Sequence, residues 1–263
     1  GVTKHLMENS NDTYNNVFAK HYDLFTRHKD YVQETKTLAG LIKSSGAEST
    51  DKILDVGCGT GTHAIALAEL SGHQIFGIDI SPDMIAQANS KKSDVVFSCI
   101  QIQDHLEENY NFAYSLFNVI NCLSDLDELT LFFQSIFDRL RNGGTFFFEA
   151  WNQIAVTKIN PEKVTREYQH KSQTIIRSVI PDVSKIFFQK LKLNYVVDIK
   201  EKSKQIDLFE VEHDLTLFSP MEIQHCLSKA GFDSPTFWTA LPTLKPASTT
   251  DRMLSVYVKK TAS

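Results

Sequence analysis

The residues whose types and spacing could carry chemistry form a glycine-rich turn. The segment DVGCGTG, residues 55–61, lies between a predicted strand at residues 52–56 and a predicted helix at residues 62–70. Glycine at alternate positions lets the backbone turn tightly and approach a ligand with no Cβ in the way. The helix that follows points its free N–H groups at the same place. The segment therefore predicts a ligand-binding loop at the carboxyl end of a strand.

A carboxylate further along the chain indicates the kind of ligand. Asp79 closes the second predicted strand, 22 residues after Gly57, where an acid can accept hydrogen bonds from both hydroxyls of a ribose. A dinucleotide fingerprint has the form G-x-G-x-x-G, but here the third glycine, Gly61, comes one position early. Asp55, beside the loop, suits an ammonium group and would repel a pyrophosphate. These residues favour a nucleoside that carries an ammonium group over a nicotinamide dinucleotide.

Composition narrows the class of protein. The chain has 263 residues, 42% hydrophobic and 22% charged, which is an ordinary globular composition. The formal net charge of −5 argues against non-specific binding to nucleic acid or to an anionic membrane. The four cysteines form no C-x-x-C pair, so no metal site is predicted and reduced, cytoplasmic thiols are expected. No run of 18 apolar residues is present, so no membrane span is expected.

The order of the predicted elements indicates how the loop is positioned. Short apolar runs alternate with helical patterns from residue 52 to about residue 150, which is typical of a doubly wound parallel sheet. Residues 163–217 instead show a period of two, which predicts antiparallel strands. We therefore expect an α/β fold with three parts. These are an N-terminal helical lid at residues 1–51, a ligand-binding core at 52–152 and 218–263, and an inserted antiparallel β subdomain at 153–217.

Two stretches carry a resemblance to a known family. ILDVGCGTGTHAIAL, residues 53–67, and GIDISPDMIAQA, residues 77–88, resemble the S-adenosylmethionine (SAM) site of class I methyltransferases. The resemblance implies a Rossmann-like, seven-stranded sheet whose last strand is antiparallel, and SAM as the cofactor. The residues it implies around the cofactor are Tyr22, Asp55, Gly57, Cys58, Gly59, Gly61, Asp79, Ile80, Met84, Gln101, Ile102 and Phe117. Asp79 would hold the ribose, with Ile80 and Met84 beside the adenine.

A narrower resemblance concerns the acceptor. The segments AKHYDLFTRHKDY (19–31), SLFNVINCLSDLDEL (115–129) and FFFEAWN (146–152) are similar to N-methyltransferases that act on amino sugars carried on thymidine diphosphate. Two positions depart from that subgroup, because Asn121-Cys122 stands at its histidine and Thr26 near an expected tyrosine. The implied partner is a small-molecule acceptor, with neither nucleic acid nor membrane, and the edge of the insertion could pair two chains into a homodimer.

Candidates for the transfer step come from the loops where open α/β sheets place their ligands. Asn118, Asn121 and Glu149 are the predicted catalytic residues, and Tyr14, Trp151 and Arg252 the predicted substrate-binding residues. His213 alternates with Val211 and Leu215 along one predicted strand, which favours a packed core histidine over a catalytic base. Direct in-line methyl transfer needs neither a metal nor a covalent intermediate, but it does need near-attack geometry.

Three other functions stay open at this point. A nucleic-acid base methyltransferase usually has an Asn/Asp-Pro-Pro-aromatic motif after the fourth strand, where this chain reads Asn118-Val119-Ile120-Asn121. A nicotinamide-dependent dehydrogenase is disfavoured by the early Gly61 and by Asp55. A SAM-binding protein without catalytic activity is the third alternative.

Overall fold

The computed structural model describes residues 12–26 and 30–261, and in the first helix it describes side chains from Phe18 onward. The helices are α1 (Asp12–Thr26), α2 (Tyr31–Ser44), α3 (Thr62–Ser71), α4 (Pro82–Ser90), α5 (Leu126–Arg139), α6 (Gln153–Lys158) and α7 (Pro220–Ala230). The strands are β1 (Lys52–Val56), β2 (Gln74–Asp79), β3 (Val96–Cys99), β4 (Tyr110–Ser115), β5 (Leu140–Trp151), β6 (Val164–His170), β7 (Gln173–Asp182), β8 (Lys190–Glu201), β9 (Lys204–Thr216), β10 (Thr236–Thr239) and β11 (Met253–Lys259). No helix in these ranges is long and apolar enough to cross a membrane.

The larger sheet has seven strands in the order β10-β11-β5-β4-β1-β2-β3. Strands β1 to β5 pair in parallel, whereas β11 is antiparallel to both β5 and β10. The predicted fold class, a doubly wound Rossmann-like sheet with an antiparallel last strand and a β insertion, is confirmed. The short strand β10, Thr236–Thr239, did not stand out in the sequence, since four residues are too few for a clear alternation.

Apolar side chains on both faces of this sheet form its core. Leu54 and Phe148 pack on one face, and Ile53 and Phe147 on the other, and all four are fully buried. Such burial on both faces is what a parallel sheet covered by helices requires, and each buried phenylalanine contributes about 1.5–3 kcal/mol. The sheet is therefore a rigid base for the loops at the carboxyl ends of its strands.

The insertion is a separate four-stranded antiparallel sheet in the order β6-β7-β8-β9. One face of this sheet buries Tyr168, Val197 and Phe209 against Phe25 of α1. Helix α1 also contacts α4 of the larger domain. It therefore lies between the insertion and the end of the larger sheet that carries the glycine-rich loop.

Helix α4 shows how a local signal positions this end of the fold. Ser81 precedes the helix in an extended conformation, and its side-chain oxygen accepts a hydrogen bond from the Met84 N–H at 3.3 Å. Pro82 occupies the first turn, where its missing N–H costs nothing. The helix therefore begins at Pro82, three residues after Asp79. This start of the helix keeps the Asp79 carboxylate close to the loop.

Candidate active site

A cavity of about 240 Å³ opens where the glycine-rich loop follows β1 and Asp79 ends β2. Helix α1 and strand β9 of the insertion contribute to its other walls. Ten of the residues that the sequence predicts for the cofactor line this cavity: Tyr22, Gly57, Cys58, Gly59, Asp79, Ile80, Met84, Gln101, Ile102 and Phe117. The structure thus brings most of the predicted cofactor residues together at one place.

The glycine-rich loop is held by backbone hydrogen bonds. The N–H groups of Gly57 and Cys58 both donate to the Ile78 carbonyl, at 2.8 Å and 3.0 Å. Gly59 has a φ of +56°, a left-handed conformation that glycine adopts without strain. A Cβ built on Gly59 would meet no atom within 4 Å. Open space therefore faces this glycine, as a loop that carries a ligand against its backbone requires.

Asp79 connects the loop to the start of α4. One carboxylate oxygen accepts from the Gly59 N–H at 2.9 Å and the other from the Ser81 N–H at 2.9 Å. Burial raises the pKa of Asp79, while these backbone hydrogen bonds lower it. A carboxylate has about four acceptor positions, so this group keeps acceptor capacity for a ligand. The hydroxyl pair of a ribose can donate hydrogen bonds to this carboxylate.

Helix α1 is attached to the loop by a group of polar contacts. Asp23 accepts a hydrogen bond from the Thr60 hydroxyl at 2.5 Å and forms an ion pair with Lys91 at 2.9 Å. The neighbouring Tyr22 lines the cavity, and its ring centroid lies 6.1 Å from that of Phe117. Burial is the largest of the effects that raise the pKa of Tyr22. The helix thus covers the cavity with a neutral aromatic side chain.

Two predicted cofactor residues do not line the cavity. Asp55 is only 3% exposed, and burial raises its pKa to about 8, with the nearby Tyr114 lowering it and Asp79 raising it. Gly61, with a φ of +79°, has the Phe97 ring where a Cβ would be, and Ala88 lies 3.3 Å from that position. Gly61 therefore serves the packing of the loop, and a contact of Asp55 with the cofactor stays a prediction.

The three predicted catalytic residues lie beside the cavity and not on its walls. Asn121 is fully buried, where its amide donates to the Thr216 carbonyl at 2.9 Å and accepts from the Trp151 N–H at 3.0 Å. Asn121 therefore ties β5 and β9 together. Both ends of the amide thus bind backbone, and the catalytic role predicted for Asn121 stays a prediction.

Glu149 and Asn118 support the loop that follows β4. The Glu149 carboxylate is buried and accepts from the Phe117 N–H at 3.0 Å. Asn118 has a φ of +58°, and its side-chain oxygen is buried with no hydrogen-bond partner among the described residues. Their catalytic roles stay predictions.

The predicted substrate-binding residues are dispersed. Trp151 packs against the insertion beside Val156 and Leu191. The Arg252 guanidinium donates to the Ile159 carbonyl at 2.9 Å. Neither residue lines the cavity in the described part of the chain. The backbone of Tyr14 belongs to α1, but its side chain lies outside the described residues.

Several cavity residues were not among those predicted for the site: Phe18, Tyr31, His63 and His213. His63 Nε2 lies 3.2 Å from the Glu34 carboxylate, and both side chains are buried. The Tyr31 ring centroid is 4.6 Å from that of His63, and burial, the largest cause, raises the pKa of Tyr31 to about 12. The position of His63 in the first turn of α3, next to the loop, is a signal that could have identified it.

His213 differs from its sequence interpretation. It lies on the inward face of β9, as its alternation predicts, but that face forms a wall of the cavity at this point. Whether an inward position faces packed atoms or a cavity depends on how α1 lies over the insertion, and the strand pattern carries no information about that.

Comparison with known proteins agrees with this geometry. A family model described as a methyltransferase domain matches residues 47–206. A protein assigned as a methyltransferase in Geobacillus sp. (strain WCH70) is 29% identical over 137 residues, which are 50% of this chain and 55% of that protein. The chain thus spans about half the length of this curated relative.

Solved structures share the whole architecture. DesVI of Streptomyces venezuelae superposes with a TM-score of 0.77 at 23% identity, over 93% of this chain and 98% of that chain. The sugar N-methyltransferase KedS8 of Streptoalloteichus sp. ATCC 53650 superposes with a TM-score of 0.76 at 21% identity, over 92% of this chain and 93% of that chain. SAM-bound CalS10 of Micromonospora echinaspora, an amino pentose methyltransferase, superposes with a TM-score of 0.75 at 18% identity, over 92% of this chain and 96% of that chain. With the family model matching more than half of its residues, the chain belongs to the methyltransferase-domain family.

Proposed function

We propose that this protein transfers a methyl group from SAM to the amine of a small molecule, an amino sugar carried on a nucleotide. The observation that carries the proposal is the placement of Asp79 and the open backbone of Gly59 on one wall of the cavity that α1 and the insertion cover. The sugar N-methyltransferase KedS8, the amino pentose methyltransferase CalS10 and DesVI share this arrangement of core and insertion over at least 92% of the chain.

The cavity residues fit SAM in kind. Asp79 can accept hydrogen bonds from the ribose, and Ile80 and Met84 can contact the adenine from α4 and the turn before it. SAM supplies a methyl group on a sulfonium, which is already activated toward a nucleophile. The chain's own part is to bind the two reactants, exclude water and align them, and such alignment can supply roughly 7–11 kcal/mol.

The lining of the cavity supports a neutral or amine-bearing acceptor. The described residues that line it include no lysine and no arginine, so a phosphate group of the acceptor would lie outside this space. The negative net charge of −5 and the absence of a basic wall disfavour a nucleic-acid acceptor. The amino group and sugar ring would enter the cavity, with the nucleotide toward its opening.

Calorimetric titration with SAM, and separately with NAD, tests the cofactor. We expect SAM to bind, and Asp79→Ala to weaken binding at least about tenfold, because each hydrogen bond from a ribose hydroxyl to a charged acceptor is worth about 1.5–3 kcal/mol. Asp94→Ala is the matched control, since Asp94 is exposed and does not line the cavity. NAD binding in preference to SAM would contradict the proposal.

Mass spectrometry tests the acceptor. Incubation with SAM and a panel of thymidine diphosphate-linked amino sugars should yield a product heavier by one methylene unit. A panel of free amines, nucleobases and hydroxylated metabolites serves as the comparison. Methylation of a member of that second panel alone would keep the methyltransferase activity and overturn the amino-sugar acceptor.

A further inference from the structure

His213 projects from the insertion toward the cavity within a group of aromatic side chains. Its ring centroid lies 4.7 Å from that of Tyr195 and 5.8 Å from that of Phe18. Tyr195 pairs with Val211 across β8 and β9, so these side chains share the inward face of the sheet with His213. The imidazole is therefore held in place by ring contacts with its neighbours.

The nitrogen atoms of His213 are not used by the described part of the fold. Among the described residues, neither nitrogen has a hydrogen bond, and neither is among the fully buried polar atoms that lack a partner. The imidazole lines the cavity, which is therefore the space that its nitrogens can reach. Two histidines that are buried differ in this respect, because His63 lies 3.2 Å from Glu34 and His105 lies 2.7 Å from the Tyr110 hydroxyl.

The environment keeps this imidazole uncharged. Burial lowers the pKa of His213 to about 4, although Asp214 opposes the shift. A neutral imidazole has one donor nitrogen and one acceptor nitrogen. It can therefore accept a hydrogen bond from an N–H or O–H group in the cavity, and it adds no charge that would repel a sulfonium.

We propose that His213 binds the acceptor substrate, accepting a hydrogen bond from its nucleophilic amine and turning the nitrogen lone pair toward the methyl group. The inference rests on the proposed function, which it deepens by naming a residue on the acceptor side of the site. In the transfer, the amine lone pair forms the new C–N bond while the C–S bond breaks. The electron pair of that bond stays on sulfur, and the surplus amine proton passes to water.

Two substitutions at position 213 separate hydrogen bonding from packing. His213→Phe keeps an aromatic ring between Tyr195 and Phe18 but removes the acceptor atom, and we expect kcat/KM for the amino sugar to fall about tenfold or more, as for the loss of one hydrogen bond in a closed site. His213→Gln keeps an acceptor oxygen and should restore part of that loss. Affinity for S-adenosylhomocysteine, measured by calorimetry, should stay within about twofold in both. His105→Gln is the control at a buried histidine outside the cavity.

The outcomes distinguish this inference from the proposed function. If the wild type binds SAM and methylates an amino sugar while His213→Phe retains full kcat/KM, the inference is wrong and the function stands. If both variants lose S-adenosylhomocysteine affinity together with activity, His213 is structural and the inference is also wrong. If the wild type does not bind SAM, the proposed function itself has failed.

Chemical modification tests the position of the imidazole without any acceptor. In protein saturated with S-adenosylhomocysteine, diethyl pyrocarbonate should carbethoxylate His213 and the exposed His225, but not His105, whose Nε2 binds the Tyr110 hydroxyl. Peptide mapping by mass spectrometry reads the sites. An unmodified His213 beside a modified His225 would show that its nitrogens do not open into the cavity, and would overturn the inference even if no member of the panel is methylated.

Discussion

Asp23 of the first helix accepts a hydrogen bond from the hydroxyl of Thr60, in the glycine-rich loop, at 2.5 Å. The same carboxylate pairs with Lys91, which itself donates to the Thr60 carbonyl at 2.8 Å. The helix that covers the cavity is therefore attached to the loop that forms its base.

Replacing Asp23 should loosen this attachment. We expect Asp23→Ala to weaken SAM binding about three- to tenfold and to change the free energy of unfolding by less than about 1 kcal/mol, because the carboxylate is half exposed and such pairs are weak. Titration calorimetry and urea denaturation measure the two effects, with Asp94→Ala as the control. Unchanged SAM affinity would mean that α1 takes no part in closing the site.

Replacing two glycines of the loop by alanine should affect two different properties, SAM affinity at Gly59 and stability at Gly61. At Gly59 a Cβ meets no atom of the described residues within 4 Å, so Gly59→Ala should cost only the left-handed φ, about 1–2 kcal/mol of stability, while it places a methyl group in the space proposed for the cofactor. At Gly61 the Cβ would overlap the Phe97 ring, so Gly61→Ala should cost about 2–5 kcal/mol.

The two variants form a matched pair, and denaturation and SAM titration are measured for both. Gly59→Ala should lose SAM affinity with the fold largely kept, and Gly61→Ala should lose stability. If Gly59→Ala binds SAM as the wild type does, the cofactor does not lie against this glycine.

Asn121 should matter for stability and not for chemistry. Asn121→Ala leaves the Thr216 carbonyl and the Trp151 N–H without their partners in a fully buried place. At about 1–3 kcal/mol for each unsatisfied group, we expect a loss of about 2–4 kcal/mol in urea denaturation, against less than about 0.5 kcal/mol for Asn89→Ala on the exposed side of α4. Full stability combined with lost methyl transfer would support the catalytic role instead.

The raised pKa of Asp55 should make stability depend on pH. Its folded-state pKa of about 8 lies above the ordinary value of 3.8, so the folded chain holds a proton that the unfolded chain has released. This contribution is fully present below about pH 4 and is lost as the pH rises through about 8. Asp55→Asn removes the titration while it keeps the shape of the side chain. The decrease in stability between about pH 5 and pH 8 should therefore be smaller in this variant than in the wild type.

Urea denaturation of both proteins at the two pH values measures the difference, and Asp94→Asn provides the control for an exposed aspartate. Identical pH dependence in Asp55→Asn and the wild type would show that Asp55 is not held protonated in the folded protein.

Most of the residues predicted for the cofactor come together because their signals are local. Alternate glycines from Gly57 to Gly61 and the acid that ends β2 lie within a single βαβ unit, and the Ser81-Pro82 start of α4 follows it. Hydrogen bonds between neighbouring elements, such as that from the Gly59 N–H to Asp79, follow from that topology. The packing of Phe97 against Gly61 is different, since only the tertiary structure shows which glycine faces open space and which faces a neighbouring ring.

The part of the site that we propose for the methyl acceptor depends on contacts between residues far apart in the chain. Asn121 looked like a loop residue available for chemistry, yet it joins Trp151 and Thr216, 30 and 95 residues away. His213 looked like a core residue, yet it faces a cavity that exists only because α1 lies over the insertion. By itself the sequence determined the doubly wound sheet, the glycine-rich loop and the acid at its side, because periodicity and backbone conformation are properties of short segments. Only the tertiary structure decided which polar side chains bind backbone and which line the cavity, because that depends on how the separate parts of the chain pack against one another.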